Sequence, residues 1–391
     1  MKKTVNTESI PIKLWLDDID EETLEQAKNL ANLPFAFHHI AIMPDAHVGY
    51  GMPIGGIMAA QDMVVPNAVG VDIGCGMCAQ KTSITEITRD DLLSIMGMLR
   101  KSIPVGFKRH KKKQDKKLMP RPEEGFSLSH LPVVEQEYEN ARTQIGTLGG
   151  GNHFIEIQRG SDNYIWIMIH SGSRNLGFRV AHYYNKLAAK LNTEWNSEIP
   201  GNWQLAYLPI DSDPGRCYLQ EMKFCVEFAL ANRKLMMERI REAFTLNFEK
   251  VEFGSFINIA HNYASLERHY QKKVIVHRKG ATSANKGEMG IIPGSQGSNS
   301  YIVRGKGSQE SFKSCSHGAG RKLGRKQAQR RLDLQEEKKK LNEMQIIHAI
   351  RNKDDLDEAT SAYKDIDKVM ANQKDLVDVV ETLQPLGVIK G

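Results

Sequence analysis

The sequence predicts an α/β fold, and three patterns carry that expectation. Short apolar runs rich in Ile and Val stop abruptly at Gly or polar residues, as buried strands do. Longer stretches between them place apolar residues at helical spacing. No internal repeat or low-complexity linker divides the 391 residues. The chain therefore reads as one large α/β unit over residues 1–391 rather than a string of small domains.

In chain order, residues 40–43 run into Pro44-Asp45-Ala46-His47, and 68–71 run into Asp72-Ile73-Gly74-Cys75-Gly76. Residues 164–169 end at His170-Ser171-Gly172-Ser173-Arg174. Residues 256–260 end at His261-Asn262, and 274–276 at His277-Arg278-Lys279-Gly280. Each run is expected to be a strand. Strands of one sheet bring their ends together, which gives these polar groups a common meeting place. Residues 218–244 are expected to form a long packing helix, with Cys217 and Cys225 as small core residues. Residues 323–341 read as a second, strongly charged helix, and 364–382 as one or two more. Residues 108–121 and 193–214 are the most loop-like.

Composition narrows the function classes. A chain that is 40% hydrophobic and 26% charged, with 14 Pro, is neither collagen-like, disordered nor membrane-embedded. Its longest apolar runs are strand-sized, far below the ~18 residues of a membrane span. After Met1-Lys2-Lys3, the residues Asn6, Glu8 and Asp17 replace the apolar core of a signal peptide, so a cytoplasmic protein is expected. Five cysteines, an odd number, do not make a disulfide scaffold. The net charge of +6 is mild, but residues 108–117 hold seven Lys or Arg and 321–340 are also strongly basic. Such patches suit a polyanion, or are simply a solvated loop and helix face.

Cys75 and Cys78 form a Cys-x-x-Cys, but no second pair exists to close a structural zinc site, and the Gly-rich surroundings do not open a helix as a redox dithiol does. The alternative is that Asp72 and Cys75, three apart in a Gly-rich turn, face one site. His153, His170 and His261 are the natural further ligands, since each adjoins a Gly-rich or strand-end segment. A Cys/Asp/His set fits Zn²⁺, Mn²⁺, Co²⁺ or Fe²⁺, in a catalytic or a purely structural site. Gly146-Thr147-Leu148-Gly149-Gly150-Gly151-Asn152 and Pro293-Gly294-Ser295-Gln296-Gly297-Ser298-Asn299-Ser300 are either phosphate-cradling loops or tight turns. His317, set among glycines with Arg321 four residues on, suits nucleophilic attack on a phosphoryl group.

Taken together these segments resemble the RtcB-type RNA ligases. The resemblance is carried by Val69-Gly-Val-Asp-Ile-Gly-Cys-Gly-Met77, Gly149-Gly-Gly-Asn-His-Phe-Ile-Glu156, His170-Ser-Gly-Ser-Arg174 and His261-Asn262. It continues through His277-Arg-Lys-Gly280, Pro293-Gly-Ser295, His317-Gly-Ala-Gly-Arg321, Tyr363-Lys-Asp365 and Pro385-Leu-Gly-Val-Ile-Lys-Gly391. The family's order is kept from about residue 40 to the last residue. Tyr50 stands where many members have Lys.

The resemblance implies a single α/β architecture with a central metal- and nucleotide-binding cleft that holds two Mn²⁺ ions. It implies GTP-dependent joining of RNA 2′,3′-cyclic phosphate or 3′-phosphate ends to 5′-hydroxyl ends, in RNA repair or tRNA splicing. Carried over by motif, Cys75 bridges the metals, Asp72 and His153 complete one, and His170 and His261 the other. His317 becomes a covalent histidine–GMP, and the GMP then passes to the RNA. Asn152, Glu156, Ser295, Ser298, Arg321, Tyr363 and Lys390 fall where the family contacts the guanine nucleotide. An activating protein is a further possible partner, and no membrane is expected. The competing classes are a metal-dependent 2′,3′-cyclic phosphodiesterase, which needs neither His317 nor Lys390, and a non-catalytic RNA-binding protein, which would not need the whole set.

Overall fold

A computed structural model describes residues 1–391, and two largely antiparallel sheets dominate it. The six-stranded sheet runs, in spatial order, Lys3–Val5, Ile12–Leu14, Ala36–His47, Ile54–Ala60, Lys272–Lys279 and Asn262–His269. The seven-stranded sheet runs Phe253–Ala260, Gly76–Thr82, Ile165–Ser171, Phe154–Gly160, Val377–Lys390, Ser300–Gly305 and Met289–Ile292. Only Ile12–Leu14 and Ala36–His47 pair in parallel. No helix is long and apolar enough to cross a membrane.

The strand ends do converge, but from two sheets rather than one. In the seven-stranded sheet the register sets Ala260 opposite Gly76, Gly76 opposite Ser171, and Phe154 opposite His170. Cys75, His153, His170 and His261 therefore sit at the same end of four adjacent strands. Lys390 joins them, paired in register with Phe154. At His261 the chain crosses into the six-stranded sheet, whose strand Ala36–His47 brings Asp45 to the same place.

Three expectations are corrected. Residues 68–71 are not a strand: Pro66–Val69 forms one helical turn, started by Pro66 and stopped by Gly70 at φ +91°. The charged stretch 323–341 is two helices, Arg325–Arg331 and Leu334–Glu343. Asp333 separates them by accepting from the Gln335 and Glu336 amides and starting a new helix. Within 364–382 only Ile366–Ala371 is helical. The β-branched residues Val377, Val379, Val380 and Thr382 belong to the long strand Val377–Lys390, which fills the gap between two others.

The expected long helix spans Asp213–Asn247, started by the Ser212 hydroxyl and a Pro in its first turn. It buries Tyr218, Phe228, Met236 and Phe244. Two polar residues in its middle, Asn232 and Arg233, are completely buried. Arg233 donates to the carbonyls of Ser171 (2.7 Å) and Gly74 (3.1 Å), and to Asn258 Oδ1 (2.7 Å). Asn232 accepts from the Gly146 and Thr147 amides and donates to the Gly172 carbonyl. The helix thus fixes the backbone beside Cys75 and His170 and the loop leading to His153.

Replacing Arg233 by Met keeps the helix but leaves those oxygens without a donor in the core, at roughly 1–3 kcal/mol each. Urea unfolding is expected to show a loss of at least about 3 kcal/mol. An unchanged midpoint would mean that Arg233 does not hold these strand ends.

Candidate active site

Cys75, His153 and His170 present one ligand atom each, all within 4.8 Å of one another, and all three are buried. Cys75 Sγ lies 3.3 Å from Nε2 of both imidazoles. Carbonyl groups set the tautomers. His153 Nδ1 donates to the Leu148 carbonyl and His170 Nδ1 to the Asn152 carbonyl, each at 3.0 Å, which leaves both Nε2 lone pairs aimed inward. His261 Nε2 is 3.4 Å from His170 Nε2, and its own Nδ1 is buried with no partner. Asp72 lines the cleft beside them and stays open to solvent. Cys78, by contrast, packs into the apolar core, so the Cys-x-x-Cys spacing does not form a chelating pair.

The one thiol proton of Cys75 can serve only one of the converging Nε2 lone pairs, and those left over repel one another in a buried space unless a cation sits among them. The donor set fits a divalent transition metal: Cys75, His153 and His170 supply sulfur and nitrogen, with His261 and Asp72 beside them. Burial drives the His170 imidazole down to about 3, and the His153 and His261 imidazoles well below their ordinary range. Burial, with Asp72 adding to it, pushes the Cys75 thiol up to about 12 against the pull of Arg233 and Arg174. The rings are thus neutral near pH 7 while the thiol keeps its proton.

His317 stands next to this cluster, its ring 4.8 Å from that of His261. It follows the strand Ser314–Ser316, and its partner is Asp45, completely buried, 272 residues earlier. Asp45 Oδ2 accepts from His317 Nδ1 at 2.7 Å and from the backbone amides of His317 and Gly318. Burial alone would raise the Asp45 carboxyl; His317 and Lys364 overcome it and hold it below its ordinary value. An acceptor fixed at Nδ1 leaves the Nε2 lone pair available for bonding to an electrophile. The sequence shows Asp45 only as a polar residue at a strand end, and nothing local announces its partner.

Beyond His317 a cleft is lined by Asn152, Glu156, Ser295, Arg321, Tyr363 and Lys390. Ser298 does not line it; its hydroxyl accepts from the Ser295 amide at 2.7 Å and braces that residue. Burial raises the Glu156 carboxyl to about 8, against the opposing effect of Lys390 and a hydrogen bond from Gln158. Glu358, a residue to which the sequence reading gave no role, organises the rest. It accepts from Lys390 Nζ (2.7 Å), the Tyr363 hydroxyl (2.5 Å) and Arg321 Nη1 (3.1 Å). Arg321 also donates to the carbonyls of Leu323 and Asp357, so several of its donors are already engaged. His277, another strand-end histidine of the sequence reading, lies mid-strand and accepts from the Val65 amide, away from the site.

Comparison with known proteins decides the family. The family model described as tRNA-splicing ligase RtcB matches residues 26–391. The chain belongs to the RtcB family. It is 36% identical to "RNA-splicing ligase RtcB" of Escherichia coli K12 over 99% of each chain. It is 32% identical to "tRNA-splicing ligase RtcB" of Thermococcus kodakarensis, over 98% of this chain and 95% of the relative. A protein of the same description from Nanoarchaeum equitans is also 32% identical, over 98% and 96%. The RtcB relationship thus spans essentially the whole chain, including both the buried His/Cys cluster and the His317 block.

Because the imidazoles are neutral and the thiol is not ionised, loading a divalent metal is expected to release one proton, from Cys75. Apparent affinity should therefore rise about tenfold per pH unit between pH 6 and 8. Calorimetric titration of the metal-free protein with Mn²⁺ or Zn²⁺, in buffers of different ionisation enthalpy, counts the proton. The same slope in Cys75→Ala would remove the thiol from the ligand set.

Proposed function

We propose that this RtcB protein is a metal- and GTP-dependent RNA ligase that joins 2′,3′-cyclic phosphate or 3′-phosphate ends to 5′-hydroxyl ends. The observation that carries this reading is His317. One nitrogen is fixed on a buried carboxylate, the other is free, and the ring stands between a metal-ligand cluster and a cleft suited to a nucleotide. Hydrolysis of a cyclic phosphate requires no such nucleophile.

In this reading His317 Nε2 attacks the α-phosphorus of GTP. A P–N bond forms, and pyrophosphate departs. Asp45 keeps Nδ1–H oriented and offsets the positive charge that develops on the ring. A cyclic RNA end is first opened by water to a 3′-phosphate. An oxygen of that phosphate then attacks the phosphorus of histidine–GMP, and the P–N bond breaks with return of the electron pair to Nε2. The RNA end now carries GMP. The 5′-hydroxyl attacks the 3′-phosphorus and GMP leaves, so that a phosphodiester replaces the anhydride. Capping matters because an uncapped phosphate would have to expel oxide.

Two Mn²⁺ ions, held by Cys75, Asp72, His153, His170 and His261, would neutralise phosphate charge and align the reacting oxygens. Glu156 recognises guanine over adenine. A carboxylate accepts from the guanine N1–H and amino group, whereas adenine presents a lone pair at N1. Lys390, Tyr363, Asn152 and Ser295 complete the nucleotide contacts.

Two measurements test the reading. Incubation with α-phosphate-labelled GTP and Mn²⁺, without RNA, is expected to leave label on denatured wild-type protein and none on His317→Ala or Cys75→Ala. Absence of label on well-folded wild type with every divalent metal would overturn autonomous guanylylation and leave an obligatory activator protein or a cyclic phosphodiesterase. The second concerns pH. The free Glu156 carboxyl is protonated below about 8 and the bound one is a carboxylate, so GTP affinity should rise with pH up to about 8 and flatten above it. Glu156→Gln should lose that slope and most of the preference over ATP.

A further inference from the structure

Two cavities meet at His317. One is the proposed nucleotide cleft; the other adjoins it and is lined by Tyr50, Lys279, Asp72, Cys75 and His261. His317, Asp72, Asn152, Arg321 and Arg325 line both. Any group in the second cavity therefore has direct access to the metal ligands and the nucleophile without crossing the nucleotide.

The turn that carries Tyr50 is held from every side. Gln26 makes two hydrogen bonds to the Gly49 backbone, at 2.6 and 3.1 Å. The buried Lys279 donates to the Tyr50 carbonyl at 2.6 Å and to the Asn67 carbonyl at 3.1 Å. Gly51 has φ +70°, and a Cβ there would stand 2.7 Å from the Gln204 carbonyl, so only glycine closes the turn. On this fixed backbone the Tyr50 side chain is 72% exposed. A large aromatic ring left in solvent on an immobilised turn, beside a reactive centre, is a surface made for a flat partner.

Charge sets the orientation of that partner. Asp20 and Glu22 line the same cavity and belong to the start of the helix whose Gln26 holds the Tyr50 turn. Lys322 and Arg325 line it from the segment that follows His317. A polyanion placed here turns its phosphates toward the Lys322–Arg325 side and an uncharged base toward Tyr50.

We infer that the second cavity receives the terminal nucleotide of an RNA strand, with its base stacked on Tyr50. The inference rests on the RNA-ligase reading and adds to it a base-stacking subsite. Stacking is indifferent to base identity, because every base has a π face, so this contact supports joining without sequence preference.

The test uses two RNA oligonucleotides with 2-aminopurine as the terminal base, one at a 3′-phosphate end and one at a 5′-hydroxyl end. Binding to the full-length protein is expected to quench one of them, and Tyr50→Leu to abolish that quenching while Tyr50→Trp retains it. The KM for that RNA end should rise roughly tenfold to a hundredfold in Tyr50→Leu. Labelling with GTP in the absence of RNA is read alongside, so a failure of the nucleotide half is seen separately from a failure of RNA binding. Quenching of neither probe by wild type would overturn the inference. So would a Tyr50→Leu protein that quenches and ligates like wild type.

Discussion

Four side chains with lone pairs at the end of one sheet are the constraint around which the surrounding structure is built. Two Nε2 atoms and a sulfur meet within hydrogen-bonding distance, with a third imidazole against them, and none has a proton to share with the others at neutral pH except the thiol. One proton cannot satisfy three imidazole lone pairs, so the group is under-satisfied without a cation and strongly attractive to one. Its assembly before the cation arrives has to be supplied by the fold. The antiparallel register does this for position, since Cys75, His153, His170 and His261 all lie at one edge of four neighbouring strands. The carbonyls of Leu148 and Asn152 do it for tautomer. Arg233 does it for the backbone, at the cost of burying a guanidinium without a carboxylate partner, which lowers its pKa to about 10.

How much of this was legible depends on whether the signal was local. Apolar runs stopped by Gly and His mark the strands around 40–43, 164–169, 256–260 and 274–276, and His170 and His261 came with them, whereas Asp72, Cys75 and His153 were marked by Gly-rich turns. Structure and sequence pattern part where the sequence leaves two local solutions open. Residues 68–71 are apolar and short enough for either a strand or a turn, and Pro66 with Gly70 decided for the turn. Residues 377–382 are amphipathic enough to pass for helix, but the sheet had room for a strand there. His277 ends an apolar run in sequence yet lies within a strand, because its strand continues to Lys279.

What the sequence could not show was pairing at long separation. Asp45 lies within the strand Ala36–His47 and His317 just past the strand Ser314–Ser316, 272 residues apart, and neither neighbourhood says which partner the other takes. Glu358 ends a short 3₁₀ helix, Asp354–Glu358, with four acidic residues among five, indistinguishable in sequence from a solvated loop. Its burial, and the three donors directed at it, are properties of the assembled molecule alone.

The two halves of the site meet the problem of loose charge differently. The metal half uses short side chains, most of them at or just before strand ends, with less rotamer freedom to lose. The cleft half, where the proposed reaction places the nucleotide, contains Arg321 and Lys390, whose long stems would each give up as much as about 2 kcal/mol of rotamer freedom on binding a phosphate or a base. Glu358 removes much of that cost in advance by holding both cations, and the Tyr363 hydroxyl, before any nucleotide arrives. His317 needs the same treatment for a different reason: an imidazole free to flip would offer the wrong nitrogen half the time. Asp45 settles its orientation with one strong hydrogen bond and two weaker ones from the backbone. A buried carboxylate thus fixes the His317 imidazole on one side of the cleft and the cations of Arg321 and Lys390 on the other. In the proposed reaction the phosphorus would be brought to a nitrogen already in place, which is where the rate advantage of an ordered site arises.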